Sequence, residues 1–354
     1  MTRIHLRSIA LASAALALSF VAILWTIPHI RSTHADEDMT STLVISGSRI
    51  DVTIASGDWK ISHDDVLNWV KRAGEAVATY YGKYPVPHVT LKISPFDGSG
   101  VRHGMTWPHE GGGLIKIGLG TQTPTADLND EWMLTHEMVH LSFPSMADDH
   151  HWMEEGLATY VEPIARIQAG QMPAIQMWTD LARDMRKGVP SPDEKGLDNT
   201  HTWASTYWGG ALFCFLADVQ IRQKTQNKMG LQDALRGILN AGGDIRQDWD
   251  IEKAFELGDK TVGVPVLTTL YSKMKNDPMP VDLPAMWKQL GIEPDGRTVH
   301  LHDDAPLAAI RRALTSPASA KAAAQSSAHS SAQPIRASAT YAGRTRSSSK
   351  KSVS

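Results

Sequence analysis

Apolar residues alternate with polar ones through much of the first third of the chain, and after residue 128 they recur at every third or fourth position. "STLVISGSRIDVTIAS" (41–56) alternates on both sides of a Gly-Ser pair, the pattern of two short strands joined by a turn. "SHDDVLNWVKRAGEAVATYYGKYP" switches to the helical period, with Ser62 placed to cap its start and Pro85 just beyond its end. "PHVTLKISPF" alternates again, and "GVRHGMTWP" and "GGGLIKIGLG" read as further strands punctuated by Gly and Pro. Beyond them "LNDEWMLTHEMVHLSF", "HWMEEGLATYVEPIARI", "AIQMWTDLARDMRK", "TYWGGALFCFLADVQIRQKT", "LQDALRGILN" and "DIEKAFEL" all carry the helical period. The expectation is an α+β fold, a strand-rich N-terminal lobe over 36–126 followed by a helical lobe over 127–305. From 306 to 354 the chain is Ala, Ser and Arg with few large apolar residues, and a disordered tail is expected.

The N-terminus changes the picture. "MTRIHLRS" is basic, and residues 9–27 run for 19 positions without a charge. Such a segment is an export signal or a signal anchor. Thr33 and Ala35 offer a cleavage site; uncleaved, residues 9–27 would attach the protein to the membrane as one transmembrane helix. Arg3 and Arg7 ahead of the span favour an exported, periplasmic or otherwise extracytoplasmic body in either case. The formal net charge is −3, but residues 1–35 and 315–354 together hold nine Lys and Arg and no acid, which leaves the body between them at −12. An acidic body argues against nucleic acid as its partner. Cys214 is the one cysteine, so no intrachain disulfide forms, and its place in "ALFCFLADV" reads as a buried small hydrophobe.

The chemistry concentrates in "HEMVH", 136–140. Residues i and i+4 of a helix share a face, so His136 and His140 can present two imidazoles to one metal ion. Glu137 then sits beside the metal, as a zinc hydrolase needs for the carboxylate that deprotonates water. A catalytic zinc takes a third protein ligand. Downstream, Asp148, Asp149, His150, His151, Glu154 and Glu155 are all chemically able. Glu155 is preferred, because it begins a strongly helical segment whose apolar pattern, Trp152, Leu157, Tyr160 and Val161, fixes a second helix against the first. Thr159, one turn on, is placed to hydrogen-bond a ligand. The "DDHH" run reads as a solvated connecting loop.

"HEMVH" followed by "EGLATYVE" resembles the gluzincin metallopeptidases, and "WMEEGLATY" is similar to a segment of the aminopeptidase N and glycyl aminopeptidase families. "YWGGALFCFLADVQIRQKT" with "GLQDALRGIL" looks most like the glycyl aminopeptidase catalytic domain, over roughly 100–290. The resemblance implies a thermolysin-like zincin domain holding one Zn²⁺ on His136, His140 and Glu155, with peptide or protein as substrate. It implies Glu137 as general base and Tyr207 as the phenol that hydrogen-bonds the oxyanion. The chain departs from the pattern where aminopeptidase N-type enzymes carry the glutamate that grips the substrate amine: "GMTW" (104–107) places Thr106 there. Glu110 is a possible substitute and His201 a further substrate contact. Trp107, Trp152, Trp203 and Trp208 are candidate cleft residues, and "GGLIKIGLG" is expected to run beside the motif helix with an edge for an extended peptide. Three functions stand: an aminopeptidase-like zinc peptidase, a cell-envelope endopeptidase, or a catalytically inactive zinc domain used for binding or sensing.

Overall fold

The structure, a computed structural model, describes residues 37–316. The expected export segment with its apolar run 9–27, and residues 317–354, lie outside the described residues. Among the described residues no helix is long and apolar enough to cross a membrane.

β1 (Met39–Ile45) and β2 (Ser48–Ile54) form an antiparallel hairpin. Its turn residues Ser46 and Gly47 both have positive φ, 49° and 85°, which a two-residue turn needs to match the strand twist. α1 (His63–Tyr81) follows, capped by a bond from the Asp65 amide to the Ser62 hydroxyl at 3.1 Å and ended by Gly82 at φ 77°. β3 (His88–Phe96) pairs parallel with β2. β4 (Val101–His109) and β5 (Gly112–Gly120) form a second hairpin, and the sheet order is β1-β2-β3-β5-β4. Aliphatic side chains line up across three strands in register, Val52–Leu91–Ile115 and Ile54–Ile93–Ile117, all nearly fully buried. Each contributes about 1.5–3 kcal/mol relative to exposure.

The sheet order corrects one expectation. The strand "GGLIKIGLG" is β5, and it is internal, bonded to β3 on one side and β4 on the other. The sheet's edge strands are β1 and β4, and the edge beside β5 is that of β4. The physical reason is visible in burial: β5 is covered along most of its length, as an interior strand must be, whereas β4 is largely exposed.

The helical half contains α2 (Met133–His140), α3 (His151–Gln168), α4 (Ala174–Asp184), a π-helical turn at Ala204–Gly209 that runs into α5 (Gly210–Lys224), α6 (Leu231–Asn240), α7 (Ile251–Val262), α8 (Leu267–Met274) and α9 (Leu283–Leu290). One cluster of buried apolar side chains runs from the sheet through these helices. A small hairpin, β6 (Ile292–Pro294) with β7 (Val299–Leu301), interrupts the helices with strands too short to show alternation. The expectation of a disordered segment starting at 306 is corrected for residues 308–314. α10 (Ala308–Leu314) is ordered, with Ile310 and Leu314 buried and the Arg311 guanidinium donating to the Leu290 carbonyl at 3.0 Å. Three anchors in seven residues hold a segment whose composition resembles that of the residues beyond it.

α3 and α5 approach backbone to backbone. A Cβ on Gly156 would fall 2.2 Å from the Gly210 Cα, and one on Gly210 would fall 2.0 Å from the Trp152 carbonyl oxygen. Only glycine at both positions permits this crossing, and it brings the π-helical turn preceding α5 against the start of α3.

Candidate metal centre

α2 is short, and its start is held from the side. The Glu131 carboxylate accepts hydrogen bonds from the Met133 amide at 2.6 Å, the Leu134 amide at 3.2 Å and the Trp69 indole at 3.1 Å. Leu134, Met138 and Val139 are buried in the core, which turns His136 and His140 toward α3. α3 buries Trp152, Leu157, Tyr160 and Val161, the apolar pattern expected of it, and this leaves Glu155 facing the two imidazoles. Glu155 Oε2 lies 3.1 Å from His136 Nε2 and 3.7 Å from His140 Nε2. The three ligand atoms are all within 4.8 Å of one another. Glu154 turns elsewhere, accepting from the Met146 amide at 3.3 Å and lying 3.2 Å from His151 Nδ1.

The charge states suit a cation. Burial and the neighbouring His136 push His140 down to a pKa of about 4, so its imidazole is neutral at physiological pH. Burial pushes the Glu155 carboxyl up, but the His136 hydrogen bond and the two imidazoles outweigh it and bring the pKa down to about 2. Two imidazole nitrogens and one ionised carboxylate are a zinc-type donor set. Metal–ligand bonds of roughly 2.0–2.1 Å in a tetrahedron put ligand atoms about 3.3 Å apart, and the observed 3.1 and 3.7 Å bracket that spacing. His136 turns Nε2 to the site, 3.1 Å from Glu155 Oε2, and its Nδ1 is buried with no hydrogen-bond partner among the described residues. The residues fit a zinc ion.

Glu137 is buried beside this set, 6% exposed, and burial pushes its carboxyl pKa up against the opposing hydrogen bond from Thr106. Tyr207, on the π-helical turn, stacks on His136 with ring centroids 6.3 Å apart and on Trp203 at 5.6 Å. Burial and the Glu155 charge raise its phenol to a pKa of about 12, so it remains a hydrogen-bond donor at neutral pH. His136, Glu137, His140, Glu155 and Tyr207 line one open cleft of about 610 Å³, with the exposed edge of β4 along one wall. A second cavity of about 340 Å³ meets the cleft at Trp132, His136 and Tyr207.

Several expected contacts are placed differently. Thr106 lines the cleft, but its hydroxyl is bonded to Glu137 rather than free for substrate. Glu110 is exposed at the β4–β5 turn, outside the residues that line the cleft. His201 is exposed in a loop and lines neither cavity. Thr159 faces the second cavity, and among the described residues no hydrogen bond joins its hydroxyl to a candidate ligand. Glu155 Oε1 instead lies 3.5 Å from His151 Nε2. Of "DDHH", His150 is tied to the Tyr271 hydroxyl at 3.0 Å, while His151 opens α3 and lines the cleft. Trp152 is core, donating to Asp198 at 2.9 Å; Trp107 lines the cleft, and Trp203 and Trp208 line the second cavity. Sequence reasoning counted His151, one turn before Glu155, among the candidate ligands but read its segment as a solvated loop, and it missed Trp132, one turn before His136. That spacing was a readable signal for both.

No family model matches the sequence, and no curated protein matches it. Solved structures do. An aminopeptidase N family protein from Idiomarina loihiensis is similar with a TM-score of 0.53 at 13% identity, over 76% of this chain and 53% of that one. An M1 zinc metallopeptidase from Deinococcus radiodurans is similar with a TM-score of 0.45 at 18% identity, over 70% of this chain and 54% of that one. The chain thus spans about half the length of these structures. At such identity the likeness is one of fold: the mixed α+β arrangement, a strand-rich N-terminal sheet with helices after it, is that of the Idiomarina protein.

Proposed function

We propose that the chain is a zinc-dependent peptidase of thermolysin-like zincin architecture. His136, His140 and Glu155 hold the metal. The observation that carries this reading is the convergence of those three ligand atoms within 4.8 Å in a cleft that also contains a buried carboxylate and a phenol. A zinc ion bound there supplies Lewis-acid chemistry, acidifying water and polarising a carbonyl. Glu137 takes the proton from the attacking water and delivers it to the leaving amine, and burial, which raises its proton affinity, suits both halves of that task. Tyr207, protonated throughout the neutral range, donates to the oxygen on which negative charge develops. The exposed edge of β4, which borders the cleft, offers unpaired backbone groups to an extended peptide. Export to an extracytoplasmic compartment, with the body released or anchored through residues 9–27, is part of the same proposal, as is the division into lobes at residues 126–127.

The resemblance points to aminopeptidase-like activity. The endopeptidase reading is the alternative, and one feature of the cleft bears on it. The described carboxylates that line the cleft all have partners: Glu137 on Thr106, Glu154 on His151, Glu155 on His136. Each of these carboxylates is already engaged, and no carboxylate on β4 stands where the resemblance expects the group that grips a substrate ammonium. Assays with N-terminally blocked and free peptides separate the two.

The test of the common core is metal analysis with turnover. The purified protein should hold about one zinc per chain, and chelation should abolish cleavage of a peptide library. Glu137→Gln should keep the zinc and lose hydrolysis by at least ~10²-fold. Chelator-insensitive turnover, or full activity in Glu137→Gln, overturns the assignment; zinc without turnover of any peptide leaves the inactive binding domain as the reading.

A further inference from the structure

We propose that Thr106 is a positioning residue for Glu137: its hydroxyl, together with the missing side chain at Gly104, holds the carboxylate in the orientation from which it moves protons. This rests on the peptidase reading above. Thr106 Oγ1 lies 2.6 Å from Glu137 Oε2 and 3.0 Å from the Glu137 carbonyl oxygen. A hydroxyl has one proton, and the shorter contact is to the charged acceptor, so the carboxylate receives it. The other carboxylate oxygen lies against Gly104. A Cβ there would stand 2.4 Å from Oε1 and 2.8 Å from both Cδ and Cγ. The carboxylate is therefore gripped on one oxygen and given room on the other by two residues of one strand.

The strand is bent to achieve this. Between Arg102 and Met105 the β4–β5 register shifts, and His103 takes a positive φ of 54°. A bulge of this kind re-aims the residues that follow it. Here it delivers Gly104 and Thr106 to α2 while Met105 and Trp107, on the other face of the strand, stay 49% and 38% exposed. No other side chain among the described residues donates to the Glu137 carboxylate. Without the hydroxyl, Glu137 would be free to rotate about its own side-chain torsions. It would lose the fixed geometry that makes proton transfer efficient.

Because Thr106 acts through Glu137, the expected signature is in kcat. Thr106→Val, isosteric but without the hydroxyl, should lower kcat about 10- to 100-fold, the range for removing one hydrogen bond to a charged group, with KM changed less than about threefold and zinc content unchanged. Thr106→Ser restores the donor and should return kcat to within about threefold of the wild type. Gly104→Ala keeps the hydroxyl and should reproduce the kcat loss by displacing the carboxylate. Equal kcat in wild type and Thr106→Val overturns the proposal, as does a loss in Thr106→Val that Thr106→Ser fails to restore, or one seen mainly in KM. Failure of the underlying reading is distinguishable: wild-type protein would then show no chelator-sensitive turnover against which to compare the variants.

Discussion

The glycine pair between α3 and α5 allows a quantitative test of how the site is assembled. Gly156→Ala adds a Cβ that would stand 2.2 Å from the Gly210 Cα and 2.6 Å from the Ala211 amide nitrogen, where ordinary contacts begin near 3.4 Å. The atoms struck are backbone, so no rotamer change relieves the clash. The helices must separate by about 1 Å, at an overpacking cost of about 3 kcal/mol. Alanine gains about 1 kcal/mol of helix propensity over glycine, which leaves a net destabilisation of about 2 kcal/mol. For a chain of this size that corresponds to a fall of roughly 4–8 °C in Tm. Separation also carries the turn bearing Tyr207 away from His136 and Glu155, and a displacement of about 1 Å can cost ~10²-fold in rate. The assay is thermal unfolding by circular dichroism beside steady-state peptide hydrolysis on the same preparations. An unchanged or raised Tm, with full turnover, would show that propensity outweighs the contact and that the close crossing does not place Tyr207.

Further outcomes follow from other parts of the molecule. Glu155→Ala should lose most of its zinc in equilibrium dialysis while Glu154→Ala keeps it, since only Glu155 faces both imidazoles; the reverse result would move the third ligand by one residue. Glu162 is buried, and burial against the partial relief of Arg166 raises its pKa from 4.5 to about 7. The folded state therefore binds more protons than the unfolded state between those values, so this group's contribution to stability falls as pH rises from about 4.5 to 7. Glu162→Gln should flatten that part of a denaturant-midpoint profile, and an unaltered slope counts against the assignment. Ending the chain at residue 306 rather than 316 removes Ile310, Leu314 and the Arg311 bonds, and should lower Tm by several degrees, roughly 2–4 °C per kcal/mol lost; equal Tm values would mean α10 adds nothing.

Much of this was legible in order along the chain. The first hairpin, the later strands, the cap at Ser62, the helical period from 128 and the i, i+4 histidines are local patterns, each set by neighbours within one turn or one strand, and the structure forms them where the pattern indicates. Glu155 was legible too, because burying Trp152, Leu157, Tyr160 and Val161 leaves one direction for it. What the pattern misjudged was non-local. Period-2 alternation says which face of a strand is buried but not its neighbours, so it does not tell that β5 lies inside the sheet with β4 as the edge beyond it. Low apolar content says little about a short helix held by two side chains and an arginine, so α10 falls within the expected tail.

The sequence by itself determined the face that carries the candidate metal ligands, the general-base candidate and the α+β plan, because these follow from helical and strand periodicity and from residue chemistry. The tertiary structure alone decided what surrounds them. Thr106 is 31 residues from Glu137, and Tyr207 is 52 from Glu155; they meet because a bulge turns β4 onto α2 and a pair of glycines lets α5 touch α3. Such encounters depend on which elements pack together and how closely, and no spacing along the chain encodes that distance.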